Sequence, residues 1–200
     1  MKPASVDLAA SAILSDVAHL TTAELDAGLD EIRRSPKDNG PLVLIIARPE
    51  GGERRELSEA TLDEVHGLVG DNWEARGSRH TEDGSAEPGR QVTVMNARAA
   101  ALVAVDPTRR GLAGDQLYVD LDLSDENLPA GTRLQVGGAV LEVTELPHTG
   151  CAKFIERFGP DAGRWVNLGN GRQVNARGIN TTVVTGGTVR TGDVVSRLPR

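Results

Sequence analysis

The chain has 200 residues, a formal net charge of −7 and one cysteine. That length suits one domain with room for a small extension; the acidic balance argues against a general nucleic-acid binder; and a lone cysteine excludes an internal disulfide and fits a reducing, cytoplasmic setting. Hydrophobic content of 38% with only two Trp, two Phe and one Tyr requires a core of Val, Leu, Ile and Ala, and 23 glycines imply the many tight turns of a short-stranded barrel.

Residues 1 to about 20 are weakly patterned and read as partly disordered. The apolar run at 8–14 follows Asp7 and lacks the charged flank and long apolar core of a signal peptide, and no run in the chain approaches a membrane span. Thr21 and Glu24 form a capping box, and Leu25, Leu29 and Ile32 then fall on one helical face that Ser35-Pro36 ends. Residues 42–47 read as a buried strand, 50–53 as a turn and 54–57 as its hairpin partner. Ser58 is suited to cap a short helical piece through Val65. Residues 74–90 are polar, with Gly77, Gly84 and Gly89, and read as a long surface loop. A strand at 91–95, a helix at 97–105 ended by Asp106-Pro107, and a strand at 117–123 follow. Gly-Leu-x-Gly-Asp occurs twice, ending at Asp71 and at Asp115, and the repeat predicts two related corners of one barrel that each present an aspartate. Gly137-Gly138 between 132–136 and 139–146 is a hairpin. Short strands and turns then fill 183–195. The order is mostly β with inserted helices, an α+β barrel-like class.

Cys151 stands between the strand ending near Leu146 and a helix expected at 152–158, closed by Gly159 and followed by a helical turn at Pro160. Pro147 and Gly150 break the chain between them. A cysteine at a helix start lies near unpaired N–H groups and the positive dipole end, which favour a reactive thiolate, and His148 and Lys153 are close in sequence. A packed cysteine beside a turn has the same signature, so the residues alone leave both readings open. Residues 151–180 carry five basic and two acidic side chains, a net +3 that leaves −10 on the rest of the chain. Such a segment is suited to a phosphate-bearing ligand, or is a solvated helix face with scattered arginines. A zinc or thiol enzyme using Cys151 with His148, His66 or His80 would need more ligands than one cysteine and four histidines readily supply. No Gly-x-Ser-x-Gly elbow and no phosphate loop occur.

Taken in order, Gly67-Leu68-Val69-Gly70-Asp71, Gln91-Val92-Thr93, Leu112-Ala113-Gly114-Asp115-Gln116-Leu117, Gly131-Thr132-Arg133-Leu134-Gln135-Val136-Gly137, Pro147-His148-Thr149-Gly150-Cys151, Arg177-Gly178-Ile179-Asn180 and Gly187-Thr188-Val189-Arg190-Thr191-Gly192-Asp193 resemble the MOSC domain, the C-terminal domain of molybdenum cofactor sulfurase, in its stand-alone bacterial form. The likeness spans about 58–198, leaving 1–57 as an extension with one helix and a strand hairpin packing on the barrel. The resemblance implies a β-rich barrel and a molybdenum cofactor. It makes Cys151 the site of sulfur transfer, as in the sulfurases, or the molybdenum ligand, as in amidoxime-reducing relatives. It also brings Asp71, Asp115 and the loop holding Arg177 and Asn180 near that site. The pterin cofactor bears a phosphate, for which Lys153, Arg157, Arg172 and Arg177 are candidate partners. A separate cysteine desulfurase is the implied sulfur donor, and the activity a sulfur transferase or a molybdenum-dependent oxidoreductase. Nothing here could carry the pyridoxal phosphate chemistry of the fused sulfurases, so that label would be inherited only. The alternative is a non-catalytic binding module with a structural Cys151. Two departures stand out: Asn72-Trp73 where members often have Arg-His, and Thr181-Thr182 where many carry Arg.

Overall fold

The computed structural model describes residues 18–199; the expected disordered stretch up to residue 17 and the apolar run at 8–14 lie outside them. Helix α1 (Thr22–Ala27) starts at the predicted capping box. The Thr21 amide donates to Glu24 Oε2 at 2.8 Å, and the Glu24 amide donates back to the Thr21 hydroxyl. Gly28 separates it from α2 (Leu29–Arg33), so the single expected helix is two short ones, with Leu25, Leu29 and Ile32 buried on a common face.

Strand β1 (Gly40–Ala47) forms the expected hairpin with β2 (Arg55–Leu57). A register shift between Leu42 and Leu44 changes the phase of β1. Leu42 and Ile45, three apart, therefore both join the inner core, while Leu44 and Ile46 face the other way. The helix expected after Ser58 is instead β3 (Glu59–Asp63), which pairs with β4 (Gly67–Leu68) and β10 (Gly187–Arg190) in a small second sheet. Ala60 and Leu62, two apart, enter the core, and Asp63 Oδ1 accepts from the Val65 and His66 amides to close the turn. Pairing to a distant strand outweighs the local helix preference. The loop after Asp71 opens with a short helix, α3 (Trp73–Arg76).

The remaining elements are β5 (Val92–Asn96), α4 (Ala97–Ala104), β6 (Leu117–Val119), β7 (Arg133–Val136), β8 (Ala139–Val143), α5 (Ala152–Asn167), β9 (Ile179–Thr185) and β11 (Val194–Arg197). The strand expected at 117–123 is only as long as its pairing with β1 and β5. Seven strands close a barrel in the order β1-β6-β5-β9-β8-β7-β11, with β11 returning to β1. The N-terminal hairpin thus supplies a stave of the barrel. Neighbours are antiparallel except β5 and β6, which are parallel and joined across α4.

Two cores result. One fills the barrel with Leu, Val and Ile, including Leu42, Val94, Leu117, Leu134, Leu141 and Val195. The second lies outside it, where Met95 and Tyr118 on the barrel meet α1, α2, α4 and the aromatic residues of α5. Four of the five aromatics are therefore spent sealing helices to the barrel wall. Phe154 and Phe158 stack one turn apart at 4.9 Å. That face of α5 is fixed, and Lys153, Phe154 and Arg157 from its first turns line a cleft.

Candidate functional site

Cys151 is the N-cap of α5, in extended backbone, and its carbonyl accepts from the Phe154 and Ile155 amides at 2.9 and 3.0 Å. Its side chain makes no capping bond and is exposed. The core-packed cysteine of the alternative reading is thereby excluded. The chain leading to it is pinned at successive points. Asn180 Nδ2 donates to the Leu146 carbonyl, Arg90 Nη1 to the Pro147 carbonyl, and Asn167 both accepts from the Gly150 amide and donates to the Gly150 carbonyl. Asn167 comes from the far end of α5, so the helix holds the loop that starts it.

Cys151 opens onto a cleft of about 270 Å³. Seven of its lining residues are basic: Arg48, Arg54, Arg76 and Arg90 from the first half of the chain, Lys153, Arg157 and Arg177 from the second. Glu50 is the one lining acid. The two repeated motifs explain how the cations are set. Each ends in a left-handed glycine, Gly70 (φ 87°) and Gly114 (φ 92°), followed by an aspartate whose side chain is fully buried. Asp71 takes Arg48 in a fork, with Nε on Oδ2 and Nη2 on Oδ1, both at 2.7 Å. Asp115 takes Arg177 Nη1 at 2.5 Å. The turn before Asp115 then gathers four arginines on four successive carbonyls. Arg54 binds that of Gly111, Arg157 of Leu112, Arg177 of Ala113 and Arg48 of Gly114, at 2.7 to 3.2 Å. The Arg177 guanidinium also lies 5.0 Å above the Phe154 ring. Fixed guanidiniums of this kind are ready-made anion receptors.

Crowding of like charge shows in their acidities. Burial first, then Arg157 and Arg48, lower the pKa of Arg54; burial and Arg48 lower that of Arg76. His148 is held well below the ordinary histidine range by burial and by Arg177, Arg48 and Arg90, so it is neutral near pH 7.

The sequence expectations divide. Cys151, Lys153, Arg157, Arg177 and Asn180 all line the cleft. Asp71 and Asp115 reach it only through the arginines they hold. Arg172 does not belong: it is exposed, bonded to Asn175 at 2.7 Å, and borders a separate cavity behind the His148 loop. Proximity in sequence misplaced it, because the 3-10 turn Asn170–Val174 carries it past the end of α5. Arg48, Arg54, Arg76 and Arg90 were missed because each lies more than 60 residues from Cys151 in sequence. A buried Asp demanding a partner was the available clue. His66 pairs with Glu74 at the exposed surface at 2.7 Å, outside the cleft. Among the described residues, no three His, Cys, Asp or Glu side chains come together as a metal site.

The sequence pattern of the MOSC domain matches residues 81–196, more than half of the chain. The chain belongs to the MOSC domain family. Solved structures share the fold. The YUAD protein from Bacillus subtilis superposes with a TM-score of 0.56 at 18% identity, over 80% of this chain and 95% of its own. YiiM from Escherichia coli gives 0.53 at 20% identity, over 81% and 70%. YiiM from Geobacillus stearothermophilus gives 0.55 at 14% identity, over 80% and 76%. None of the curated proteins matches the sequence at a significant level.

Both departures from the MOSC pattern have structural consequences. Trp73, where members often have His, is buried in the protein body, and Asn72 lines the cleft beside Arg76, one turn on. Thr181 and Thr182 are occupied locally, donating to the Val92 carbonyl and to Gln91 Oε1. The cleft nevertheless keeps its seven cations. Three lining residues also hold a buried polar atom without a well-formed hydrogen bond among the described residues: Asn72 Oδ1, His148 Nδ1 and Arg177 Nε. One sulfur, many phosphate donors and unsatisfied polar atoms fit a phosphate-bearing pterin cofactor with a soft metal.

Proposed function

We propose that the chain binds a phosphate-bearing molybdenum–pterin cofactor in the arginine-lined cleft and that Cys151 serves as its protein sulfur, as metal ligand or as persulfide carrier. The observation that carries this is the exposed Cys151 thiol opening onto a cleft with seven basic lining residues in an acidic chain. Arg48 and Arg177, locked by Asp71 and Asp115, hold the anionic end, with Arg54 and Arg157 beside them. Lys153 lies two residues past Cys151 and is mobile enough to follow a ligand. Molybdenum in such a cofactor supplies redox chemistry at a thiolate-bearing centre. In the carrier role, the Cys151 thiolate attacks the terminal sulfur of a donor persulfide, such as that of a cysteine desulfurase. One S–S bond forms at Cys151 as the donor's breaks, and the donor leaves as its thiolate, with no net oxidant consumed.

The test is elemental analysis for molybdenum and fluorescence of released pterin on protein made in a cofactor-producing host. It is run beside persulfide mapping after incubation with a desulfurase and cysteine. Molybdenum bound to the wild type and lost from Cys151→Ala assigns the ligand role. Persulfide on Cys151 without molybdenum assigns the carrier role. Absence of molybdenum, pterin and persulfide together sinks the proposal.

A further inference from the structure

Three of the seven cations at the cleft are matched by a carboxylate: Arg48 by Asp71, Arg177 by Asp115, and Arg90 by Glu87 at 2.8 Å. The other four, Arg54, Arg76, Lys153 and Arg157, make no ion pair among the described residues, and Glu50 is the one lining acid. Arg54 and Arg157 do bind backbone carbonyls, those of Gly111 and Leu112. Arg76 and Lys153 are exposed, and their side chains make no hydrogen bond among the described residues. Both stand close to the sulfur. Burial and Arg48 lower the pKa of Arg76, while Asp71 and a negatively charged Cys151 pull it up, so guanidinium and sulfur lie within Coulombic reach. Lys153 follows Cys151 by two residues and lines the same cleft. Arg177 adds an unmet donor: 6% of its side chain is exposed, it lines the cleft, and its Nε has no hydrogen bond among the described residues. The exposed thiol therefore opens into uncompensated positive charge. A cleft lined by one sign of charge concentrates the opposite ion by about ten- to a thousandfold.

We propose that Cys151 is a site of reversible S-thiolation selective for low-molecular-weight disulfides of net negative charge, such as glutathione disulfide, because the unpaired cations of the cleft gather the anion at the sulfur. This rests on the anion-attracting cleft of the preceding reading and needs no molybdenum. The Cys151 thiolate attacks one sulfur of the disulfide. A bond forms between that sulfur and Cys151 as the reagent's S–S bond breaks, and the other half leaves as its thiolate. The disulfide is the oxidant: its departing sulfur is reduced and Cys151 is oxidised. The proton lost from Cys151 goes to solvent, from which the departing thiolate takes one up. A free thiol reverses the step by the same exchange. While it lasts, the sulfur is closed to a metal or a persulfide, so thiolation and cofactor chemistry at Cys151 exclude each other.

The test measures rates of thiolation by intact-protein mass spectrometry at pH 7 with anionic glutathione disulfide, neutral 2-hydroxyethyl disulfide and cationic cystamine. Each rate is divided by that of the same disulfide with a neutral small thiol, N-acetylcysteine amide, which removes the reagent's own reactivity. The thiolate fraction of Cys151 is common to all three and cancels from their ratios. Glutathione disulfide is expected to lead cystamine by about tenfold or more at low salt. The lead should shrink as sodium chloride is added. Arg76→Gln and Lys153→Gln, both at exposed positions, should each narrow it severalfold, and Cys151→Ala should take up no thiol. Equal normalised rates, a preference that salt leaves unchanged, or no thiolation by any of the three overturns the inference. Molybdenum, pterin and persulfide are assayed on the same preparation. Molybdenum found beside equal rates sinks this inference alone. Charge-selective thiolation without molybdenum, pterin or persulfide sinks the cofactor reading alone.

Discussion

At the level of single residues, the two aspartates of the repeated motif matter more as clamps than as ligands. Asp71 is fully buried and satisfies Arg48, of which 8% of the side chain is exposed. Removing one member of a buried pair leaves the other charge unpaired, at a cost of about 3–5 kcal/mol. Asp71→Asn is therefore expected to lower the unfolding free energy by about 3 kcal/mol in urea denaturation, at the lower end because the amide still accepts. Lys153→Ala, an exposed side chain of the same cleft, should change it by no more than about 0.5 kcal/mol. The repeat itself was legible in the sequence, because Gly and Asp at fixed spacing announce a turn. Its partners were not: Arg48 precedes Asp71 by 23 residues and Arg177 follows Asp115 by 62. No local pattern encodes that pairing.

His148 gives stability a pH dependence of defined sign. Its folded pKa lies below its unfolded value, so above about pH 6.5 neither state holds the proton and the group contributes no slope. Below that, the unfolded chain binds a proton that the folded protein refuses. Stability then falls as pH falls, approaching about 1.4 kcal/mol per pH unit from this group. His66, raised by Glu74, works in the opposite sense. Comparing His148→Gln with the wild type isolates the term: the variant's melting temperature should drop less steeply between pH 6.5 and 5. Parallel curves would show that His148 is protonated in the folded state.

Among the elements, α5 does the organising. Its apolar spacing places Phe154, Phe158, Ala162, Trp165 and Val166 against the barrel wall. Its backbone leaves helical geometry at Gly159 (φ 90°, ψ 162°), where the sequence had placed the end of one helix and the start of another at Pro160. That boundary was readable because Gly-Pro is strong punctuation. The role of the helix's far end was not, since Asn167 reaches back 17 residues to bracket the Gly150 peptide. Asn167→Ala removes both bonds and should cost about 1–2 kcal/mol. More tellingly, hydrogen exchange at the Gly150 amide should accelerate while core amides of β8 stay protected. Unchanged exchange at Gly150 would mean that Asn180 and Arg90 hold the loop without it. The misread β3 teaches the converse lesson. The helix signal of a Ser58 cap is local, and a strand paired to β10 more than 120 residues away overrides it.

For the whole molecule, the governing fact is separation of charge. The chain is acidic overall, yet seven basic side chains line one cleft with a single acid among the lining residues. The sequence showed part of this as the net +3 of residues 151–180, but four of the seven cations come from before residue 91 and converge only once the barrel closes. The lowered pKa values of Arg54 and Arg76 record burial first and then repulsion from neighbouring arginines, Arg157 and Arg48 on Arg54 and Arg48 on Arg76. A polyanion that relieves it must bind the folded state alone, because the unfolded chain scatters the arginines. Linkage then fixes the size of the effect: about 2.7 kcal/mol of added stability at a ligand concentration one hundred times Kd. Pyrophosphate should accordingly raise the melting temperature in a saturable way. The rise should shrink as sodium chloride increases, since part of the attraction is screened over about 8–10 Å at moderate salt. Chloride at matched ionic strength is the decisive control. An equal rise with chloride would assign the effect to screening of the crowded cations, whereas a rise confined to pyrophosphate and weakened in Asp71→Asn would trace it to guanidiniums that the buried carboxylates hold in place.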